Sequence, residues 1–273
     1  MRFLFCLIIV WFCFGFTSCA VSKKNGIAYL SANDTTPRLN VFTRKKGKDM
    51  PVLIFVHGGN WNTGNKDQYD FLGRNFARKG IVTVIPDYTL SPAADYNAMA
   101  DQVAKAIRWT KDNIATYGGN PDNIFITGHS AGGHLAALAV MNPRYNVSAT
   151  DIKGIILNDA AGLDMKHYLE DYPPTTENDY LATWSSNPKQ WQDASPIYFI
   201  NSNTPPFLIY VGGKTYKSIK KGNERFVTAL HTFQPLVKTI HINKRHVPMV
   251  LQYIWPWSPR YKEILSFINE HKN

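Results

Sequence analysis

The chain has 273 residues, of which 44% are hydrophobic and 18% charged, with a formal net charge of +10. These proportions are ordinary for a folded protein with a buried core and exclude an intrinsically disordered chain. Lysine and arginine cluster at 44–48, 214–221 and 244–245, but no nucleic-acid-binding module accompanies them. We therefore expect no nucleic-acid partner, and interpret the charge as solvated lysines or as attraction to an anionic membrane or acidic polysaccharide.

The first twenty residues have the composition of an export signal. Arg2 precedes an unbroken apolar stretch at residues 3–16, and the small residues Thr17 and Ser18 come before Cys19. The stretch is shorter than the ~20 apolar residues that a membrane-spanning helix needs. We therefore predict a signal peptide over residues 1–19, with an uncleaved anchor helix as the alternative.

All three cysteines, Cys6, Cys13 and Cys19, lie in or at the end of this leader. Residues 16–19 (Phe-Thr-Ser-Cys) resemble a bacterial lipobox, although phenylalanine stands where leucine is usual. The resemblance implies an exported protein, periplasmic or on the cell surface, that a lipid on Cys19 anchors to the membrane. Residues 20–36 then form a polar tether, and the remaining chain forms no disulfide, so its core alone must stabilise the fold.

From residue 37 to residue 273, short apolar runs alternate with segments of helical periodicity. This alternation predicts an α/β fold with a mostly parallel central sheet flanked by helices, because strands buried on both faces are continuously apolar. The predicted strands cover residues 52–56, 81–85, 124–127, 154–157 and 207–211, with a weaker strand at 239–242. The predicted helices cover residues 69–79, 95–116, 223–232 and 259–271.

Residues 163–193, after the strand that ends near residue 158, break this alternation. They are rich in aromatic residues and turn formers, namely Tyr168, Tyr172, Tyr180, Trp184, Trp191 and the pair Pro173-Pro174. We interpret the segment as an insertion over the carboxyl edge of the sheet, where the sites of such folds lie. A loop with a small core of its own is the alternative.

The most informative motif is Gly-His-Ser-Ala-Gly at residues 128–132, directly after the apolar run at 124–127. The pattern Gly-x-Ser-x-Gly between a strand and a helix of small residues is typical of a nucleophile elbow, a sharp turn that exposes the serine hydroxyl. Gly128 and Gly132 leave the space that such a turn needs. The motif therefore predicts Ser130 as a nucleophile.

A serine nucleophile also needs hydrogen-bond donors for the oxyanion that forms during its attack. The first predicted strand ends in His-Gly-Gly-Asn-Trp at residues 57–61, where two glycines let the backbone approach a substrate. The backbone amides of Gly59, Asn60 and Ala131 are the predicted donors. A simple turn at the end of the strand is the alternative interpretation of the glycine pair.

Several motifs in order resemble the α/β-hydrolase superfamily, in the branch of carboxylesterases, acetylxylan and feruloyl esterases, and kynurenine formamidase. The resemblance covers roughly residues 40–273, and one departure is Thr89, where these families commonly carry arginine. Its marks are residues 57–61, Asp87 to Pro92, Tyr117 to Asp122, Gly128 to Gly133, Ala194-Ser195-Pro196 and Pro205-Pro206-Phe207.

In this superfamily the catalytic residues follow the order serine, acid, histidine, which implies a base late in the chain. Of the eight histidines, His246 follows the last predicted strand in a loop before the final helix, where the family has its base. His241, within that strand, is interpreted as structural. His129, which is locked beside the serine, is assigned together with Trp61 to the wall of the substrate pocket.

The acid is harder to assign, because the family usually carries it just after the strand that ends at residue 211. Residues 212–217 contain no carboxylate. The segment at residues 157–162 resembles the one from which pancreatic-type lipases draw their acid, which favours Asp159. Asp164 and then Glu224 are the other candidates, and a turn-capping role is the alternative for Asp159.

Together these features predict an exported serine esterase that acts on small-acyl or carbohydrate-linked carboxylic esters, without a cofactor or a metal. An aryl formamidase or a peptidase on the same fold is one alternative. A non-catalytic surface binding protein descended from a hydrolase is the other, and the missing carboxylate after residue 211 is its best support.

Overall fold

An eight-stranded sheet is the framework of the computed structural model, which describes residues 21–30 and 37–272. Its strands are β1 (Val21–Ala28), β2 (Arg38–Arg44), β3 (Met50–Val56), β4 (Val82–Pro86), β5 (Gly119–His129), β6 (Ile152–Asn158), β7 (Phe207–Gly212) and β8 (Thr239–Ile242). Their spatial order is β1-β2-β4-β3-β5-β6-β7-β8. β2 runs antiparallel to both of its neighbours, and all other neighbouring strands are parallel. The prediction of a mostly parallel sheet is confirmed.

Helices cover both faces of the sheet. In the described residues they are α1 (Asp70–Arg78), α2 (Tyr96–Asn113), α3 (Ala131–Met141), α4 (Met165–Asp171), α5 (Tyr180–Trp184), α6 (Pro188–Asp193), α7 (Lys217–Leu230), α8 (His246–Leu251) and α9 (Pro259–His271). Helices α1, α8 and α9 share one apolar cluster with the sheet, whereas α2, α3 and α7 share the other. In the central strand β5, Ile124 and Ile126 face one cluster and Phe125 the other, which explains its continuous apolar run.

The interpretation of residues 20–36 as a tether is wrong for residues 21–28, which form the edge strand β1. Its backbone pairs with β2 in antiparallel register, from Val21 opposite Arg44 to Ala28 opposite Arg38. An edge strand shows much of its side-chain surface to water, so its sequence is polar and lacks the apolar run that marks an inner strand. Lys23, for example, forms ion pairs with Asp67 and Asp70 at the surface.

The segment 163–193 contributes the short helices α4, α5 and α6 between β6 and β7. Its large apolar side chains are not a separate core, because Leu169, Trp184 and Trp191 are buried in the same cluster as α2 and α3. The segment thereby forms a wall above the carboxyl ends of β5 and β6, where its residues line a cavity beside Ser130.

Within residues 21–30 and 37–272, no helix combines the length and the apolar character that crossing a bilayer requires. The predicted signal peptide at residues 1–19, with Cys19, lies outside the described residues.

Candidate active site

Ser130 lies at a sharp turn between β5 and α3. Its backbone has φ 55° and ψ −124°, a strained conformation for a residue with a side chain. The turn is possible because the backbone of Gly132 packs directly on β3, and a Cβ at residue 132 would lie 2.0 Å from the carbonyl oxygen of Val56. The geometry is that of the nucleophile elbow that the sequence predicted.

His246 faces this serine. Its Nε2 lies 2.8 Å from Ser130 Oγ, so the hydroxyl can donate to the imidazole. The sequence placed His246 in a loop, but it is the first residue of α8. A helix can begin there because Pro248 falls in its first turn, where a backbone N–H has no partner to lose. The helix start fixes the direction of the imidazole toward the elbow.

Asp159 holds the other side of the imidazole, with its Oδ2 2.6 Å from His246 Nδ1. The carboxylate also accepts hydrogen bonds from Gly212 N at 2.8 Å and from Thr215 Oγ1 at 2.5 Å. Burial alone raises the pKa of Asp159, but the bonds from His246, Gly212 and Thr215 outweigh it and lower that pKa below its ordinary value. The carboxylate is therefore charged and keeps the proton of the neutral imidazole on Nδ1, leaving Nε2 to accept from the serine.

Asp159 directly follows β6 in the chain, but its carboxylate lies at the end of the neighbouring strand β7. Its backbone N donates to the carbonyl of Tyr210 at 2.8 Å, and its φ of 52° turns the chain at that point. The two strands are parallel neighbours, so the end of β6 lies beside the end of β7, where the family usually carries its acid. A carboxylate from the adjacent strand thus occupies the usual position.

The two other candidates for the acid lie elsewhere. Asp164 caps the first turn of α4 and forms an ion pair with Arg225, whose Nε is 2.6 Å from its Oδ2. Glu224 is exposed on α7, and its side chain contacts none of the three residues of the relay. Of the three candidates, the structure brings only Asp159 to the imidazole.

Thr215 is a site residue that the sequence reasoning missed. Besides its bond to Asp159, its hydroxyl lies 3.4 Å from His246 Nδ1, at the limit of a hydrogen bond. The signal in the sequence is a hydroxyl residue three positions after β7, within the segment 212–217 that lacks a carboxylate.

The glycine-rich loop after β3 lies beside the serine, since a Cβ at residue 58 would approach Ser130 Cβ to 3.2 Å. Gly59 has φ 130°, and its carbonyl accepts from both the backbone N and the Oγ1 of Thr63 at 2.9 Å. Among the described residues, no acceptor takes up the backbone N–H of Gly59, Asn60 or Ala131. These amides are available to an oxyanion at Ser130.

The predicted pocket residues differ in their surroundings. His129 Nε2 lies 3.0 Å from the carbonyl oxygen of His246, and burial, followed by the neighbouring His246, lowers the pKa of His129 to about 4. Trp61 lines the cavity but is buried, with its indole N–H donating to His134 Nδ1 at 3.1 Å and its ring edge against Trp184. Both residues therefore brace the wall of the site more than they offer surface to a substrate.

His129, Asp159 and His246 form the one group of three side chains, within the part of the chain that the structure describes, whose ligand atoms lie close enough to hold a metal ion. All three already have hydrogen-bond partners in the protein. Asp159 and His246 are joined by their own hydrogen bond, and His129 lies beside them through its bond to the carbonyl oxygen of His246.

A cavity of about 640 Å³ opens above Ser130 and His246. One wall is aromatic and comes from the segment 163–193 and from the residue before α7, with Tyr168, Tyr172, Tyr180 and Tyr216. Three cationic residues of α7, Lys217, Lys221 and Arg225, also line the cavity. This volume accommodates a drug-sized molecule or a short sugar segment.

Residues 39–219 match the protein family BD-FAE, which is more than half of the chain. Two relatives from Mycobacterium tuberculosis (strain ATCC 25618 / H37Rv) are similar in sequence. Esterase LipQ is 34% identical over 182 residues, covering 62% of this chain and 42% of LipQ. Esterase LipC is 33% identical over 202 residues, covering 68% of this chain and 50% of LipC. The chain thus spans about half the length of these relatives or less.

Solved structures of esterases have the same fold. Esterase B from Lactobacillus rhamnosis superposes with a TM-score of 0.77 at 20% sequence identity, over 92% of this chain and 87% of the esterase. Esterase 2 from Thermogutta terrifontis superposes with a TM-score of 0.71 at 20% sequence identity, over 92% of this chain and 96% of that esterase. The sheet order, the elbow and the similarity to these structures show that the chain has the α/β-hydrolase fold. The match over residues 39–219 shows that it belongs to the BD-FAE family.

Proposed function

We propose that this protein is a serine esterase that hydrolyses carboxylic esters through Ser130, His246 and Asp159. The observation that carries the proposal is the continuous relay from Ser130 Oγ to His246 Nε2 at 2.8 Å and from His246 Nδ1 to Asp159 Oδ2 at 2.6 Å. A serine hydroxyl is a poor nucleophile at neutral pH and needs such a base within hydrogen-bond reach. The esterase names of its relatives agree with this chemistry.

In the proposed mechanism, Ser130 Oγ attacks the carbonyl carbon of the ester while His246 Nε2 takes the hydroxyl proton. The amides of Gly59, Asn60 and Ala131 donate to the oxyanion, and Asp159 stabilises the imidazolium. His246 then returns the proton to the departing alcohol, which leaves an acyl group on the serine. Water attacks this acyl-enzyme with the same imidazole as the base, and the acid is released.

We propose small-acyl or carbohydrate-linked esters as substrates. The loop after β3 packs closely against the serine, since a Cβ at residue 58 would lie 3.2 Å from Ser130 Cβ. The cavity of about 640 Å³ is lined by Tyr168, Tyr172 and Tyr180. Tyrosine rings at the wall of a cleft suit an alcohol portion with flat apolar faces, such as a sugar. Comparing turnover of an acetylated oligosaccharide, an aryl acetate and N-formylkynurenine separates this preference from that of a formamidase.

The argument for a non-catalytic binding protein was the missing carboxylate after β7. Asp159 reaches that position from β6, so the argument loses its basis. Ser130→Ala should reduce the hydrolysis of p-nitrophenyl acetate by a factor on the order of 10⁶, because it removes the hydroxyl that is hydrogen-bonded to His246 Nε2. Ser218→Ala is the matched control, since Ser218 lines the same cavity. Equal turnover by the two variants would overturn the proposal.

We also propose that the protein is exported and anchored by a lipid on Cys19. The support is the leader, with Arg2, the apolar stretch at residues 3–16 and Cys19 after small residues. Cys19→Ser should shift the protein from the membrane fraction to the soluble fraction or leave the leader uncleaved. Incorporation of labelled palmitate into the wild-type chain and its loss in the variant is the measurement. Palmitate in neither protein would contradict the anchor.

A further inference from the structure

An exposed apolar surface extends from the rim of the cavity along α8 and the turn that follows it. Five large apolar side chains are between 41% and 74% exposed there, and we call them the apolar ridge: Val247, Leu251, Ile254, Trp255 and Trp257. The rings of the two tryptophans lie 5.3 Å apart. Monomeric soluble proteins rarely expose contiguous apolar surface of this kind without a binding role.

The helix that carries the ridge is apolar on both sides. Its inward residues, Met249 and Val250, are buried against the sheet. Its outward residues, Val247, Leu251 and Ile254, follow the spacing i, i+4 and i+7, which places them on one stripe of the helix and the turn after it. A surface helix normally carries polar residues on this side. Packing within the described chain therefore explains the inward stripe and leaves the outward one without a partner.

The part of the sequence that carries the ridge is rich in positive charge. From Arg225 to Lys262 the sequence has no aspartate or glutamate, while it has six lysines and arginines. Lys244 and Arg245 directly precede α8, and the backbone N of Lys214 donates to the carbonyl of Lys244, which brings Lys214 beside them. In the part of the chain that the structure describes, these three cationic groups form no ion pair.

We propose that the apolar ridge, with Lys214, Lys244 and Arg245, docks on the surface of an anionic lipid bilayer. Tryptophan is suited to the boundary between headgroups and acyl chains, and aliphatic side chains gain by immersion just below it. Lysine and arginine at the edge of such a surface are attracted to anionic headgroups. The ridge combines these three elements.

Two other occupants fit the surface less well. A sugar chain stacks on aromatic rings, but the aliphatic side chains of Val247, Leu251 and Ile254 offer it neither a ring face nor a hydrogen bond. A second copy of the chain, related by two-fold symmetry, would bring the cationic residues of the two copies together. An anionic bilayer is the occupant whose charge is complementary.

Docking in this way brings the cavity to the lipid surface. Val247 belongs to the ridge and also lines the cavity, next to His246. Tyr216 lines the same rim, is exposed, and has its ring 5.3 Å from that of His246. The mouth of the cavity therefore faces the lipid surface when the ridge is docked.

The test uses the full chain with vesicles of phosphatidylcholine and phosphatidylglycerol whose acyl chains are brominated, which quenches tryptophans that enter the bilayer. The other tryptophans, including Trp11 of the leader, are the same in all variants. The emission of Trp255 and Trp257 is obtained by subtracting that of a Trp255→Phe/Trp257→Phe variant. We expect this emission to be quenched by the anionic vesicles, and much less by phosphatidylcholine alone.

Leu251→Asp keeps both tryptophans but places a carboxylate in the ridge, so most of this quenching should disappear. Leu236→Asp is the matched control, because Leu236 is 88% exposed on a loop outside the ridge, and its quenching should stay as in the wild type. Unquenched Trp255 and Trp257 in the wild-type chain would refute the proposal. If the emission of Trp255 and Trp257 instead changes with protein concentration in the absence of vesicles, the ridge binds a second copy of the chain. If their emission changes only when soluble xylan oligosaccharides are added, the ridge binds a sugar.

Discussion

Replacing Asp159 by asparagine tests the relay most directly. The carboxylate accepts hydrogen bonds at both oxygens, from Gly212 N on Oδ1 and from Thr215 and His246 on Oδ2. In Asp159→Asn the amide oxygen keeps the bond from Gly212 N, which directs the NH₂ group at His246 Nδ1. The imidazole must then accept at Nδ1 and carry its proton on Nε2, so it can no longer accept the proton of Ser130.

The wrong tautomer, together with the loss of the charge that stabilises the imidazolium, should lower kcat by a factor on the order of 10⁴. Converted to an activation free energy, this is about 5 kcal/mol. The assay is the steady-state hydrolysis of p-nitrophenyl acetate at neutral pH, with circular dichroism to confirm that the variant is folded. KM should change little, because Asp159 is buried behind the imidazole and does not line the cavity.

Asp164→Asn and Glu224→Gln are the matched controls, because each removes one carboxylate from the same region of the fold. Asp164→Asn loses the ion pair with Arg225 but leaves the imidazole untouched, so kcat should remain close to that of the wild type. Glu224→Gln should have no effect. The assignment of the acid is refuted if Asp159→Asn retains near-normal kcat while either control loses it.

Two further predictions follow from the contacts of the site. Thr215→Val removes one donor to the charged Asp159, a bond worth about 1.5–3 kcal/mol, so kcat should fall roughly tenfold to a hundredfold, and Thr215→Ser should restore it. Burial lowers the pKa of His134 from 6.5 to about 4. Between these two pH values the unfolded chain binds a proton at this residue and the folded chain does not, so the protein loses stability as the pH falls from 6.5 toward 4. The unfolding free energy, measured by urea denaturation, should fall between pH 7 and pH 5 by about 2 kcal/mol less in His134→Gln than in the wild type. In the control variant His167→Gln, which changes an exposed histidine, the decrease should equal that of the wild type.

The inner strands and the elbow could be predicted because their determinants are local. Helices cover both faces of the sheet, so an inner strand is buried on both sides and has a continuous apolar sequence. Residues 52–56 and 124–127 are examples. The nucleophile elbow needs small residues within one turn of the chain, so its motif is contiguous. The bounds of α9, Pro259–His271, coincide with the prediction because proline marks its first turn.

The elements that the sequence did not reveal depend on neighbours that are distant in the chain. Strand β1 is polar, and its pairing with β2 is what makes it a strand. The start of α7 at Lys217 lies six residues before the predicted one, since its first turn is lysine-rich and lacks an apolar stripe. Asp159 remained one of three candidates because only the parallel register of β6 and β7 brings it to the imidazole.

The difference between His246 and its neighbouring histidines supports the proposed role of His246 as the base. His129 and His134 are buried, their pKa values are lowered to about 4, and each is hydrogen-bonded to a backbone carbonyl. A carbonyl fixes the tautomer of a neutral ring but supplies no charge to stabilise an imidazolium in a buried site. His246 Nδ1 instead faces the carboxylate of Asp159, and its Nε2 faces a hydroxyl. A histidine of this cluster can accept a proton during the reaction because a charged partner, itself held by two other donors, is already in place.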